Sequence, residues 1–265
     1  MQNKKTRTPG ARLSSKRRDI PDGIWAKCSA CGDIIYNGEL SRNLKICPRC
    51  DYYFPLEPAE RIALLADKGS FLRYDAGYQS PICPDVKICD RTIITGEVTL
   101  SGHRLVIAVA NLCADTVPRV PTDAATGLFV CEEIIAAVLR AADQHLPVLL
   151  VYTNIASIQV QDDMFIPAQA LSIGAAMNRL AREKLLYVSI LAHSDSRGYF
   201  PGFACTADIV IAESNIPGIA RAGRRTGQSE AIQAAQALLQ NGMVDTITPR
   251  RELKHTLTDI LNFFC

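Results

Sequence analysis

Apolar residues follow two rhythms along this chain. From Ile93 to the C-terminus, short runs of β-branched and other apolar residues alternate with stretches whose apolar positions recur every three or four residues, the signatures of strands and helices. Ile93 to Leu100, a Ser101-Gly102 turn, and Leu105 to Leu112 read as a β-hairpin. Cys131 to Ala142 is predicted as a helix with Ile134, Ile135, Val138 and Leu139 on one face, and Pro147 introduces the strand Val148 to Thr153. Ile166 to Lys184 reads as a long, largely buried Ala-rich helix leading into the strand Tyr187 to Ala192. Asp208 to Glu213 is a short buried strand, Ser229 to Gln240 a helix closed by Asn241-Gly242, and Thr248-Pro249 opens a last helix ending at Phe264. Strands alternating with helices give an α/β domain. The pattern leaves two architectures open, a doubly wound sheet and a stacked ββα spiral.

The N-terminal part is different. Pro55 to Asp67 is predicted as a helix, with Ile62, Leu64 and Leu65 as its apolar stripe and Gly69 as its stop. Before it, Ile20 to Phe54 has too few apolar residues for a core, and only Ile34-Ile35-Tyr36 and Leu44-Lys45-Ile46 read as short strands. Within this segment Cys28 and Cys31, then Cys47 and Cys50, form two Cys-x-x-Cys pairs. Such pairs at this separation read as a four-thiolate zinc site, in which each tight turn brings two sulfurs to one tetrahedral ion. Four thiolates leave no coordination position for water, so the zinc is expected to be structural, and its binding to supply the folding free energy of the module.

Composition narrows the setting. At 265 residues and 48% apolar the chain is long enough to bury a full core beside a small zinc module. It has no continuous apolar run long enough for a membrane span and no apolar segment of a signal peptide, so a cytoplasmic protein is expected. The remaining cysteines, Cys83, Cys89, Cys113, Cys131, Cys205 and Cys265, are expected as buried free thiols. Lys4, Lys5, Arg7, Arg12, Lys16, Arg17 and Arg18 make the first eighteen residues strongly basic, and the net charge of +2 therefore leaves the rest of the chain acidic. A solubilising disordered tail accounts for this arm, and a nucleic-acid contact is a weaker alternative. Neither a Gly-x-Gly-x-x-Gly after a strand nor a Gly-x-x-x-x-Gly-Lys is present, which removes the main support for nucleotide binding. His193, directly after a strand, is a candidate base of low weight beside His103, His145 and His255.

The segment Ile20-Pro21-Asp22-Gly23-Ile24-Trp25-Ala26-Lys27-Cys28, the two cysteine pairs, Glu39-Leu40-Ser41-Arg42-Asn43-Leu44 between them, and Arg61 with Asp67-Lys68-Gly69-Ser70-Phe71 after them closely resemble the start of bacterial acetyl-CoA carboxylase carboxyltransferase β subunits. The resemblance continues through Thr95-Gly96-Glu97-Val98 and through Ala207-Asp208-Ile209-Val210-Ile211-Ala212-Glu213. It implies a crotonase-like ββα spiral and a division of the chain into a basic tail (1–19), a zinc ribbon (20–56) and a crotonase-like carboxyltransferase domain (57–265). It further implies an α-type partner subunit and transfer of a carboxyl group from biotin, held by a carrier protein, to an acetyl thioester of CoA or a carrier protein.

The same resemblance nominates site residues. The family's first oxyanion loop, Ser-Gly-Gly-Ala-Arg-Met-Gln-Glu, aligns with Ile155-Ala156-Ser157-Ile158-Gln159-Val160-Gln161-Asp162, and its later Gly-Gly pair with Arg197-Gly198. Backbone N–H groups of Ala156, Ser157, Arg197 and Gly198 are thus the candidate stabilisers of a thioester enolate, and Arg221, Arg224 and Arg225 the candidate grips on CoA phosphates or an acidic carrier. Because several family glycines are replaced, two readings stay open: a carboxyltransferase or decarboxylase subunit, and a non-catalytic β-like subunit that completes or regulates a complex.

Overall fold

The computed structural model describes residues 24–74, 92–111, 124–153, 165–192, 204–214 and 235–265; side chains are described in all of these except 124–128, 165–170 and 205. In the N-terminal module β1 (Trp25–Lys27) pairs antiparallel with β2 (Ile34–Tyr36), and α1 (Asn37–Arg42) follows directly. The expected strand at Leu44 to Ile46 is replaced by a tight turn. Leu44 and Lys45 take φ values of +56° and +55°, and only Ile46 bridges to Tyr53. Left-handed backbone at two successive residues cannot extend as a strand, and the turn carries the chain to the second cysteine pair.

Pro58–Leu65 forms α2, shorter than the sequence suggests, and starts in a capping box between Glu57 and Glu60. Its C-terminal side is where the family-like Asp67-to-Phe71 segment acts. Asp67 accepts a hydrogen bond from the Gly102 amide at 3.1 Å and pairs with Lys254, while the Ser70 hydroxyl accepts from the Thr99 amide at 3.1 Å. The segment therefore clamps the hairpin turn, in which Ser101 and Gly102 have positive φ. A Cβ on Gly96 would lie 2.5 Å from the Leu72 carbonyl oxygen, so β3 (Leu72–Arg73) can pair with β4 (Ile93–Leu100) only over a glycine.

Among the described residues, seven strands make the main sheet. After the antiparallel pairs β3–β4 and β4–β5 (His103–Asn111), the strands β6 (Val148–Thr153), β7 (Tyr187–Ala192), β8 (Ile209–Glu213) and β9 (Thr246–Thr248) add in parallel, one after another, to the same edge. Crossovers between parallel strands are right-handed, so a sheet that never reverses its direction of growth places every crossover on one face. Accordingly α3 (Ala124–Gln144), α4 (Phe165–Arg182) and α5 (235–240) cover the face lined by Val106, Ala108, Val148, Leu150, Tyr187 and Val210. The opposite face, lined by Leu105, Ile107, Leu149, Val151, Ile190 and Ile211, is covered by α2 and α6 (Leu253–Phe264). Because both faces are buried, the parallel strands read as continuous apolar runs. Helix α4 is less buried than its composition suggests: in its described half only Ile173, Ala176 and Leu180 are inside, and Leu171 is 76% exposed.

The module and the sheet meet at a buried charge cluster. Glu213, the last residue of β8, receives Arg61 of α2 at 2.7 and 3.2 Å and Arg250 at 2.9 and 3.1 Å, and all three side chains are fully buried. The third arm of Arg250, Nη1, donates at 3.0 Å to the carbonyls of Leu44 and Phe54, both in the N-terminal module. The Arg250 guanidinium also lies 4.6 Å from the centre of the Tyr53 ring. Burial acts to raise the Glu213 pKa, but the two guanidiniums prevail and hold it at about 2. A carboxylate whose pKa is depressed on folding contributes stability that is present above its unfolded value near 4.5 and is lost as pH falls toward 2. Glu213→Gln is expected to cost about 3–5 kcal/mol at neutral pH by leaving two buried guanidiniums without a carboxylate. In urea titrations at several pH values the variant is expected to show a flatter loss of stability than the parent between pH 4.5 and 2.

Candidate functional site

Each cysteine pair is held by the same turn. In the first, the Cys28 amide donates to the Asp33 carbonyl at 2.8 Å and Gly32 N–H donates back to the Cys28 carbonyl at 2.9 Å; in the second, Cys47 with Tyr52 and Asp51 repeat both bonds at 2.8 and 3.0 Å. The residue four after each first cysteine, Gly32 or Asp51, takes positive φ, which glycine and aspartate tolerate. The four Sγ atoms lie within 4.8 Å of one another, with Cys28 to Cys50 at 3.7 Å and Cys31 to Cys47 at 3.8 Å. Tetrahedral zinc with bonds of about 2.3 Å requires sulfurs about 3.8 Å apart, so the residues present fit the ion. Both short edges run from one turn to the other, and the site is thus assembled by tertiary packing of Ile35, Leu40, Tyr52 and Phe54 around it.

Burial pushes the Cys28 and Cys50 thiols up, whereas a hydrogen bond from the Asp33 backbone lowers Cys31. Four thiolates this close together are held only beside a dication, and binding therefore releases protons. Of the remaining cysteines, Cys131 is half-buried with its thiol pushed up to about 11 by desolvation, which keeps it unreactive. Cys265 is exposed, contrary to the expectation of a buried thiol, because it follows the last turn of α6. Cys83, Cys89, Cys113 and the side chain of Cys205 lie outside the described residues.

The second element of the site is the row of carboxyl ends in the parallel sheet. Asn111 of β5 is in register with Thr153 of β6, and Thr153 with Ala192 of β7; Leu191 is in register with Ala212 of β8, one residue before the end of that strand. The carboxyl ends of four strands thus stand side by side, about 4.8 Å apart per strand, on the edge where open α/β sheets bind ligands. Ala156 and Ser157 follow Thr153 by three and four residues, and Arg197 and Gly198 follow Ala192 by five and six. Arg221, Arg224 and Arg225 follow the end of β8. All seven candidates, and His193, lie outside the described residues. His103, His145 and His255 sit at the surface beside Asn262, Glu183 and Asp259, away from this edge of the sheet.

Residues 25–50 match the acetyl-CoA carboxylase zinc finger domain family. An acetyl-coenzyme A carboxylase carboxyl transferase subunit beta from Desulforamulus reducens is 33% identical over 267 residues, spanning 94% of this chain and 90% of the relative. This chain belongs to that family. A second member, from Pelotomaculum thermopropionicum, is 32% identical over 94% of the chain and 92% of its own length. The fold is the crotonase-like carboxyltransferase fold. A Pseudomonas malonate decarboxylase hetero-tetramer solved with malonate superposes with a TM-score of 0.53 at 20% identity, covering 85% of this chain and 86% of that one. The β subunit of Pseudomonas aeruginosa geranyl-CoA carboxylase gives 0.53 at 19% identity over 77% of this chain and 42% of its own.

The contacts of Arg250 and Tyr53 at the junction of ribbon and sheet were not legible in the sequence. Arg250 stands in a Pro249-Arg250-Arg251-Glu252 stretch that reads as an ordinary helix start. A signal did exist at the other end: Glu213 closes an otherwise apolar run, and an acid there requires a cationic partner.

The zinc reading sets its own test. Metal analysis is expected to give one zinc per chain. Replacing Cys47 with Ser is expected to release the metal while circular dichroism retains most of the α/β signal, and lowering the pH is expected to release zinc as the thiolates protonate.

Proposed function

We propose that this chain is the β-type half of a carboxyltransferase that handles an acetyl or malonyl thioester of CoA or a carrier protein through its enolate, together with an α-type partner. The observation that carries the reading is the register of β5 to β8. Their adjacent carboxyl ends launch, side by side, the segments holding Ala156 and Ser157, Arg197 and Gly198, and Arg221, Arg224 and Arg225. The likeness in sequence to acetyl-coenzyme A carboxylase carboxyl transferase β subunits supports it.

Removing a proton from a thioester methyl, or losing CO2 from a malonyl thioester, leaves negative charge on the thioester oxygen. Backbone N–H groups of Ala156 and Ser157 and of Arg197 and Gly198 are assigned to that oxygen, since an alanine or serine keeps the N–H even where glycine is lost. Arg221, Arg224 and Arg225 are assigned to the phosphates of CoA or the acidic surface of a carrier. In the transfer direction, biotin on a partner protein supplies the carboxyl group. Zinc takes no part in the chemistry, because four thiolates complete its coordination.

Two outcomes test this reading. Co-expressed with its cognate α-type chain, the protein is expected to form a stable assembly with two copies of each chain, measured by light scattering; a monodisperse monomer beside that chain contradicts it. That complex is expected to decarboxylate malonyl-CoA or carboxylate acetyl-CoA. Gly198→Pro, which removes an N–H and fixes φ, is expected to lower turnover by a hundredfold or more with zinc content and assembly intact. A complex that assembles but turns over neither thioester supports instead a non-catalytic β-like subunit.

A further inference from the structure

The charge cluster around Glu213 contains two guanidiniums and one carboxylate, all without solvent exposure, and is therefore electropositive by one unit charge. Much of what offsets that surplus comes from the zinc module. Arg250 Nη1 points at the carbonyl oxygens of Leu44 and Phe54 at 3.0 Å and of Lys45 at 3.4 Å. These carbonyls belong to the two chain segments that flank the second cysteine turn: Lys45 is two residues before Cys47 and Phe54 four after Cys50, and the segments are joined by the Phe54 N–H to Lys45 carbonyl bond at 2.8 Å. Tyr53, on the same segment, places its hydroxyl 3.2 Å from Ser214 Oγ and 3.3 Å from the Arg250 amide. Glu213 is the carboxyl end of β8, in the row of strand ends assigned above to substrate, and Ser214 directly follows it.

We propose that Arg250, assisted by Tyr53, is a positioning residue that couples zinc occupancy of the ribbon to the carboxyl end of β8, so that metal loading and thioester handling are thermodynamically linked through Glu213. The link to thioester handling rests on the function proposed above; the link between zinc and β8 does not. Metal binding folds the turn that carries Cys47 and Cys50 and so presents the carbonyls. When they withdraw, Arg250 is left as a buried cation sharing one carboxylate with Arg61, and the cluster must rearrange. Coupling of this kind is reciprocal. Whatever loosens β8 when zinc leaves must also weaken zinc when the cluster is broken from the sheet side.

Reciprocity gives a readout independent of activity. Zinc affinity of the full chain, measured by competition with a chelator, is expected to fall about tenfold or more in Arg250→Met and a few-fold in Tyr53→Phe, within the usual range of allosteric coupling. Arg251→Ala, which breaks an exposed contact from the same turn to Asn43, is expected to leave affinity within about twofold. By hydrogen exchange, amides of residues 209–214 are expected to lose protection when zinc is removed from the parent, and to be already less protected in zinc-loaded Tyr53→Phe. If Arg250→Met does not fold, Tyr53→Phe, which removes a single hydroxyl, decides the matter. Unchanged zinc affinity in the folded variants, an equal loss in Arg251→Ala, or exchange at 209–214 indifferent to zinc overturns the coupling. In the assembled complex Tyr53→Phe is expected to raise the KM for malonyl-CoA more than it lowers kcat. A parent complex with no turnover contradicts the proposed function alone, and affinity and exchange still decide the coupling.

Discussion

Glu213 is where the two halves of this protein are tied together. One carboxylate at the end of a buried strand collects Arg61 from the helix after the zinc module and Arg250 from the turn after the last strand, and Arg250 in turn grips backbone on either side of the second cysteine turn. Ion pairs buried to this degree need not outcompete an apolar core of the same volume, since desolvation opposes the attraction. Their geometry is nevertheless demanding. A planar fork of guanidinium donors is matched by a narrow range of carboxylate and carbonyl arrangements. The cluster therefore holds the module to the sheet in one defined orientation.

Around this node the two parts obtain their stability differently. The main sheet is buried on both faces, with helices contributed by the crossovers on one side and by α2 and α6 on the other. Its cohesion is that of an ordinary apolar core. The N-terminal module has a core of a few side chains around the sulfurs, and depends on the metal for the free energy that its size denies it. Linking a metal-dependent unit to a self-sufficient one through a buried charge transmits the state of the first to the second.

Several of the polar contacts that join distant segments fall where the family-like residues do. Asp67 and Ser70 lock the α2 segment onto the β4–β5 hairpin, Gly96 lets β3 approach, and Arg61 meets Glu213 across more than half of the chain. Each was visible in the sequence as part of a family-like string. None announced its partner, because a string records which residues stand in order and a contact depends on how the chain returns.

The sequence by itself determined the zinc ligands, since two Cys-x-x-Cys turns are local structures, and it determined most of the strands and helices, since burial on both faces leaves continuous apolar runs and burial on one leaves a stripe. It missed β1, β3, β9 and α1, which are two to six residues each and too short to show a period, and misread Leu44 to Ile46, where left-handed backbone overrides a favourable composition. The direction of sheet growth was decided only by tertiary structure. Doubly wound and spiral sheets share one alternation of strands and helices, and differ in which edge each new strand joins. The same holds for Arg250, an unremarkable arginine after a proline until the fold brings three ribbon carbonyls and Glu213 to its guanidinium. Local periodicity fixes elements, but pairing across two hundred residues is set by how the buried polar groups of the whole chain can all be satisfied at once.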